Sequence, residues 1–338
     1  MPTVMICGPY PAPLGGVSIH IQRLGILLEG QGVSVVYCDE SKERKDSIYN
    51  IRNLNILSYI KLLSRSDIIH IHSSVDTLRL FHILASKILF KKTIVTVHSW
   101  RKKGYQNKLW SRILSFFCHK IVFVSAETAL LLDVTPSKKI VFPAFIPPPP
   151  SPSELPKAIT NFINHNKLND KKIVVSNAFR IVEFNDEDLY GFDLCLQAFS
   201  DPKIADKASL VFIVSDTSVN QKKIENYIEH IHKNKLEQNI LFYLGAIDFF
   251  TLLTMSDVSI RATNTDGDAL SVRESIFLKV PCIASDCVGR PPGTTLFKSR
   301  SPDDLIQKLA HCFEHSSNLT HDSQCAIHIE EFYQKLYE

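Results

Sequence analysis

Short apolar runs rich in β-branched residues recur along the chain, with longer stretches between them whose apolar residues fall three and four apart. In the first half the runs are Thr3–Cys7, Val33–Cys38, Ile68–His72, Thr93–His98, Ile121–Ser125 and Ile140–Phe142, and they predict strands. Val17–Leu28, Leu78–Leu89 and Asn107–Phe117 have the period of helices that bury one face. The second half repeats the plan. Strands are expected at Ile173–Asn177, Leu210–Ser215, Ile240–Leu244, Asp257–Ile260 and Cys282–Ser285, and helices at Asp193–Phe199, Val219–Asn234, Phe249–Met255, Leu270–Leu278 and Asp303–His315. Alternation of this kind builds parallel, doubly wound α/β sheets.

Between the halves lies PAFIPPPPSPSELP (143–156). Proline lacks the N–H that a helix interior or central strand requires, so this stretch reads as a stiff, extended linker. The expected organisation is a domain over 1–150, the linker over 143–156, a second domain over 157–320, and a closing helix over 321–338 that packs back on the first domain. Two Rossmann-like domains facing each other across a cleft is the predicted architecture.

Composition adds limits. The 338 residues suffice for two cores, and 45% hydrophobic with 22% charged residues is ordinary for a globular protein. No apolar run reaches the roughly 18–20 residues that span a bilayer. The opening MPTVMICGPYP has no charged segment before its apolar run and reads as a first strand, so a cytoplasmic protein is expected. The eight cysteines form no C-x-x-C and no zinc-like spacing with histidine, which predicts buried thiols and no metal. Charge is uneven: residues 1–150 have 19 Lys+Arg against 9 Asp+Glu, a net of +10, and the remainder nets −7. A basic half suits an anionic membrane surface or a phosphate-bearing acceptor.

Candidate chemistry concentrates at DGDALSVRE (266–274), between the strand at 257–260 and a helix. A helix start offers unpaired N–H groups and a partial positive charge, which together cradle an anion. Asp266 and Glu274 frame that cradle with acceptor-only oxygens suited to sugar or ribose hydroxyls. A second glycine turn, Gly15-Gly16, opens the first helix in GPYPAPLGGVSIHIQRL (8–24), where Pro9, Pro11 and Pro13 stiffen the loop. It lacks the G-x-G-x-x-G of dinucleotide enzymes.

With these residues in view, the chain resembles retaining GT-B glycosyltransferases of the glycogen-synthase-like family 4. The likeness is carried by GPYPAPLGGVSIHIQRL and by RATNTDGDALSVRESIFLKVPCIASD (261–286). Asp266 and Glu274 fall on the family's Glu-x7-Glu pattern, with aspartate in the first place. The resemblance is to members that build bacterial surface polysaccharides. It implies that Glu274 binds the ribose and that Asp266 faces the donor sugar. It also implies that backbone N–H groups across Gly267, Asp268, Ala269, Leu270 and Ser271 hold the diphosphate and sugar. Arg180, after the first strand of the second half, fits the first cation of the expected diphosphate clamp. Tyr190 stands where the second, a lysine, is usual, and Arg261 is either a substitute or an ion-pair partner of Asp266 or Asp257. His98, at a strand end, would contact the sugar; His72 with Ser73 and Ser74 would line the acceptor side, with His70 packed.

The D-x-D of 266–268 is read as direct sugar contact without a metal, and the acids at 186–188 as a solvated loop. Segment 100–120 interleaves Arg101, Lys102, Lys103, Lys108, Arg112 and Lys120 with Trp100, Tyr105, Trp110, Phe116 and Phe117, a pattern that suits a membrane interface. The expectation is therefore a peripheral-membrane glycosyltransferase. Its partners would be a nucleoside-diphosphate-sugar and a glycan acceptor, carried on a lipid such as polyprenyl diphosphate, with no nucleic acid and no cofactor. The alternatives are a GT-B-fold nucleotide-sugar epimerase and a degenerate subunit that binds a partner.

Overall fold

The computed structural model describes residues 2–11, 15–100, 102–148, 154–315 and 324–337. Pro13, Arg101, linker positions 149–153 and residues 316–323 therefore lie outside the described residues, as does the side chain of Cys325. The chain divides into two compact units, Met1–Pro149 with Ser323–Glu338, and Pro150–Asp322.

In the first unit the elements run β1 (Thr3–Gly8), α1 (Gly16–Gly30), β2 (Ser34–Asp39), β3 (Tyr49–Asn50), α2 (Ile56–Arg65), β4 (Ile68–Ile71), α3 (Asp76–Ile88), β5 (Lys92–Val97), α4 (Tyr105–Phe117), β6 (Lys120–Phe123), α5 (Ala126–Leu130) and β7 (Lys139–Val141). The strands form one parallel sheet in the order β3-β2-β1-β4-β5-β6-β7. β1, β4 and β5 lie at its centre and are buried along most of their length, which is why they read as unbroken apolar runs. At the end of β1, a Cβ on Gly8 would stand 2.5 Å from Ile21 Cδ1. A side chain there would make the Ile21 terminal methyl turn aside, so the bare backbone of Gly8 eases the packing of α1 against the strand.

Segment 100–120 departs from the membrane-facing reading. Trp100 and Trp110 are buried in the first unit's core, with the Arg79 guanidinium 5.4 and 5.3 Å from their rings. Arg79 donates to the Ser73 carbonyl and stacks on both indoles; cation–π attraction and apolar burial together draw the tryptophans inward. Only Tyr105, Leu109 and Phe116 of that stretch's large apolar side chains remain exposed.

The second unit contains α6 (Lys157–Leu168), β8 (Lys172–Ala178), β9 (Glu183–Phe184), β10 (Glu187–Asp188), α7 (Phe192–Ser200), α8 (Pro202–Ala205), β11 (Ala208–Val214), α9 (Gln221–Lys233), β12 (Ile240–Leu244), α10 (Phe249–Leu253), β13 (Val258–Arg261), α11 (Leu270–Phe277), β14 (Cys282–Ser285), β15 (Thr294–Phe297) and α12 (Pro302–Glu314). Its parallel sheet has the order β12-β11-β8-β13-β14-β15. α12 starts with Ser301 accepting from the Asp304 N–H and with proline in its first turn, as the sequence requires. The acids at 186–188 are not all solvated. Asp188 is buried, accepting from the Tyr227 hydroxyl at 2.8 Å and the Tyr190 N–H at 3.0 Å, and burial raises its carboxyl above the usual range.

Gly191 fixes how α7 meets the loop after β13. Its φ is +70°, and a Cβ there would lie 2.2 Å from the Ala262 carbonyl oxygen. Left-handed backbone and a backbone clash act together, so Gly191→Ala is expected to cost about 2–4 kcal/mol. A urea midpoint equal to that of the unmodified chain would overturn this.

The closing helix, α13 (Gln324–Tyr337), belongs to the first unit. Phe332 stacks on Phe142 at 3.6 Å between centroids, and the Tyr337 hydroxyl meets His70 Nδ1 at 2.5 Å. Among the described residues no helix is long and apolar enough to cross a membrane.

Candidate functional site

In the second unit, charged side chains gather where four neighbouring strands end. Arg180 follows β8, Asp216 follows β11, Arg261 closes β13, and Arg290 follows β14. The carboxyl edge of a parallel sheet is where side chains and loops can converge on a ligand.

Asp266 is the hub. Arg261 reaches it with two donors, Nε to Oδ2 at 2.9 Å and Nη2 to Oδ1 at 3.1 Å, and Arg290 Nη1 reaches Oδ2 at 2.9 Å. The Thr263 hydroxyl and the Gly267 N–H donate to it as well, each at 3.1 Å. Burial opposes ionisation of this carboxyl, yet Arg261 first and Arg290 second outweigh it and hold Asp266 down to about 2. Arg290, whose side chain is 2% exposed, also donates to the Ser285 carbonyl and to the Thr263 and Ser285 hydroxyls. The loop between β13 and α11 is thus clamped to β14 through one carboxylate.

Arg261 was expected either to share a diphosphate or to pair with an acid. The structure pairs it with Asp266, in fork-to-carboxylate geometry. Its guanidinium also stands 5.2 Å from the Tyr190 ring, so the tyrosine at the lysine position supports an arginine. Arg180 is the more accessible cation, with 36% of its side chain exposed; it pairs with Asp216 at 2.7 Å and stacks on Phe179.

α11 begins just after this hub. Ala269 precedes it in extended backbone and, as alanine, offers no side-chain cap of its own. Asp268 accepts from Arg273 Nε at 2.5 Å, which draws its carboxylate toward the helix. Leu270 and Ser271 form the first turn, and Glu274 is 3% exposed.

The first unit assembles a second cluster at its own strand ends. His72 follows β4 and His98 follows β5; His72 Nδ1 and His98 Nε2 are 3.0 Å apart. His20, on α1, packs against both rings at 5.1 and 5.0 Å and meets the Ala144 carbonyl through Nδ1 at 2.6 Å. His70 packs below, with Nε2 2.7 Å from the Thr96 hydroxyl. Burial lowers all four, His20 to about 4 and His70 to about 3, so the imidazoles are neutral near pH 7. At the glycine turn, Gly15 donates its N–H to the Ser18 hydroxyl, and a Cβ on Gly16 would meet nothing within 4 Å.

No family model and no curated protein matches this chain. Solved structures do match it. The Anabaena protein HepE in complex with UDP and glucose superposes with a TM-score of 0.68 at 11% identity, covering 94% of this chain and 91% of that one. A glycosyltransferase from Rickettsia africae gives 0.63 at 18% identity over 92% and 88%. WaaG, a glycosyltransferase involved in lipopolysaccharide biosynthesis, gives 0.59 at 14% over 93% and 91%. The fold is GT-B.

Within this GT-B chain, Arg180, Arg261, Asp266, Gly267, Asp268, Ala269, Leu270, Ser271 and Glu274 all belong to the second unit. Gly15, Gly16 and His98 belong to the first. Sequence reading missed Arg290 and His20. Arg290 in DCVGRPP follows a strand end just as Arg180 does, and that parallel is the signal that could have exposed it. His20 looks like one more residue of an amphipathic helix, and only folding shows that it meets two strand-end histidines.

Proposed function

We propose that this chain is a glycosyltransferase that moves a sugar from a nucleoside-diphosphate donor to a glycan acceptor. The observation that carries the reading is the Asp266 hub with Arg261 and Arg290, set directly before the start of α11, with the accessible Arg180 at the end of the neighbouring strand β8. A diphosphate at the helix start would meet N–H groups and the helix dipole, with Arg180 stabilising the leaving group. The UDP complexes of HepE support the same kind of donor. Glu274 is assigned to the ribose and Asp266 to the sugar end of the loop. In the first unit, His98 is assigned to sugar hydroxyls, and the Gly15–Gly16 turn to close approach by a ligand.

Retention of configuration belongs to this reading, with the departing diphosphate oxygen taking the proton of the incoming hydroxyl and no metal or enzyme nucleophile engaged. So does a lipid-linked acceptor in cell-surface polysaccharide assembly, at the cytoplasmic face of a membrane. Its support is where the exposed apolar side chains fall. Leu54, Leu57, Ile60, Phe81, Leu84, Ile88 and Phe90 lie exposed along α2, α3 and their flanks, beside Lys61, Arg65 and Lys87, whereas the second unit exposes only Leu168, Leu244 and Leu296 among its described large apolar residues. Apolar area with basic neighbours favours an anionic lipid surface.

One observation favours a second reading, a subunit that binds nucleotide without transferring sugar: both oxygens of Asp266 are already engaged by arginine. The test is a thermal-shift screen of the full chain against UDP, UDP-glucose and other nucleoside-diphosphate sugars, followed by calorimetry. A cognate donor at about a hundred times its Kd adds about 2.7 kcal/mol of stability. Glu274→Gln, which keeps the side chain's shape, is expected to weaken donor binding about tenfold or more. A flat response to every nucleotide would sink both readings; binding without transfer to any acceptor would select the second.

A further inference from the structure

The least explained buried polar groups lie outside the proposed donor chemistry, where β1, β2 and α3 meet. Cys7 and Cys38 are register partners on adjacent parallel strands, and His82 projects from α3. The two sulfurs and a ring nitrogen of His82 lie within 4.8 Å of one another, and all three residues are 0% exposed. Glu40, two positions beyond Cys38 and 5% exposed, brings its Oε1 to 3.2 Å from His82 Nε2. Neither of those two atoms makes a hydrogen bond. Two buried polar atoms facing each other unbonded is a costly arrangement unless something sits between them.

We propose that Cys7, Cys38, His82 and Glu40 form a structural site for a thiophilic divalent cation of the zinc class. Two sulfurs and one imidazole nitrogen supply three zinc ligands, and the Glu40 carboxylate, which as it stands is not within 4.8 Å of all three, completes a four-ligand set by turning toward them. Nitrogen and oxygen ligands about 2.0–2.1 Å from a tetrahedral ion lie about 3.3 Å apart, which matches the unbonded Glu40–His82 pair. The other ring nitrogen, His82 Nδ1, stands 2.8 Å from the Tyr59 hydroxyl. Donation from Nδ1–H to that oxygen places the free lone pair on Nε2, facing Glu40, as metal-bound histidines are commonly held. The cluster of His20, His72 and His98 is the weaker candidate, because His72 and His98 are within hydrogen-bonding distance of each other and His20 Nδ1 is engaged by Ala144.

The test needs no sugar or acceptor, so its outcome is independent of the transferase reading. The full chain is produced in zinc-supplemented medium, dialysed, and its metal content measured by plasma mass spectrometry. In parallel, cobalt-supplemented protein is examined for thiolate-to-cobalt charge-transfer absorption. About one ion per chain with a thiolate band is expected for the unmodified protein, with both lost in Cys7→Ala and metal retained in His72→Ala. Metal-free protein without a cobalt–thiolate band overturns the proposal on the unmodified chain alone, whether or not the variants fold. Metal retained by Cys7→Ala, or lost only in His72→Ala, overturns it as well.

Discussion

Asp266→Ala is expected to destabilise the chain by about 3–5 kcal/mol, because it strands two guanidinium groups in a largely buried setting. The structure gives Arg290 no other carboxylate among the described ion pairs, and only 2% of its side chain reaches solvent. Arg261 is 14% exposed and directs two donors at the same carboxylate. Asp266→Asn keeps the shape and loses the charge, so a smaller loss in the same direction is expected. The pH sign follows from the depressed carboxyl: its contribution is full above the ordinary value of 3.8 and is lost only as pH falls toward about 2. The variants therefore differ from the parent throughout the neutral range. Glu314, paired with Lys207 at 3.8 Å with both side chains more than half exposed, is the control. Glu314→Gln is expected to change stability by about 0.5 kcal/mol or less. Urea midpoints read the difference, and an Asp266→Ala midpoint no lower than that of Glu314→Gln would refute the clamp.

Strands and helices with one clean period were legible in the sequence. β12 and β14 fall on the expected residues, and the bounds of α4 differ from the expectation only at its start. α2 was missed although its apolar residues Ile56, Tyr59, Ile60 and Leu63 fall three and four apart, as a helix that buries one face requires, so the signal for it is present in the sequence. β15 was missed because only Phe297 of its four residues is buried, leaving a two-residue alternation too short to register. At the site, chemistry contiguous in sequence could be read, and chemistry assembled across the sheet could not. The 266–274 segment stood out because helix start, acids and glycine share one loop. Arg290, His20 and the Cys7–Cys38–His82 group depend on strand order and on which helix face turns inward. The tryptophans of segment 100–120 failed differently: basic and aromatic residues together suggested a lipid interface, but Arg79 provided a buried partner from another helix.

Mild acid should unfold the first unit's histidine cluster well before carboxylates titrate. Free histidine binds its proton near 6.5, whereas burial lowers His20 to about 4 and His70 to about 3. Between those values the unfolded chain binds protons that the folded chain refuses, so stability rises with pH and is lost as pH falls below about 6.5. At pH 5 each such histidine costs about 2 kcal/mol relative to pH 7, or about 4 kcal/mol for the two. His72 and His98 are lowered too and act in the same direction. The surrounding charges reinforce this: Arg23 disfavours a proton on His20, Arg79 disfavours one on His98, and the rings disfavour one another. No acid is among the groups found to shift these four rings. The expected result is a urea midpoint that drops steeply between pH 7 and pH 5, with a shallower drop in His70→Gln, which keeps a hydrogen-bonding side chain but cannot titrate. Equal midpoints at the two pH values would mean that the imidazoles take up protons in the folded state, and the dry, neutral cluster would have to be abandoned. The same neutrality bears on the proposed chemistry, since a His98 without a proton charge at pH 7 can hydrogen-bond a sugar hydroxyl but cannot act there as a standing cation for the diphosphate. That role is left to Arg180 and the start of α11.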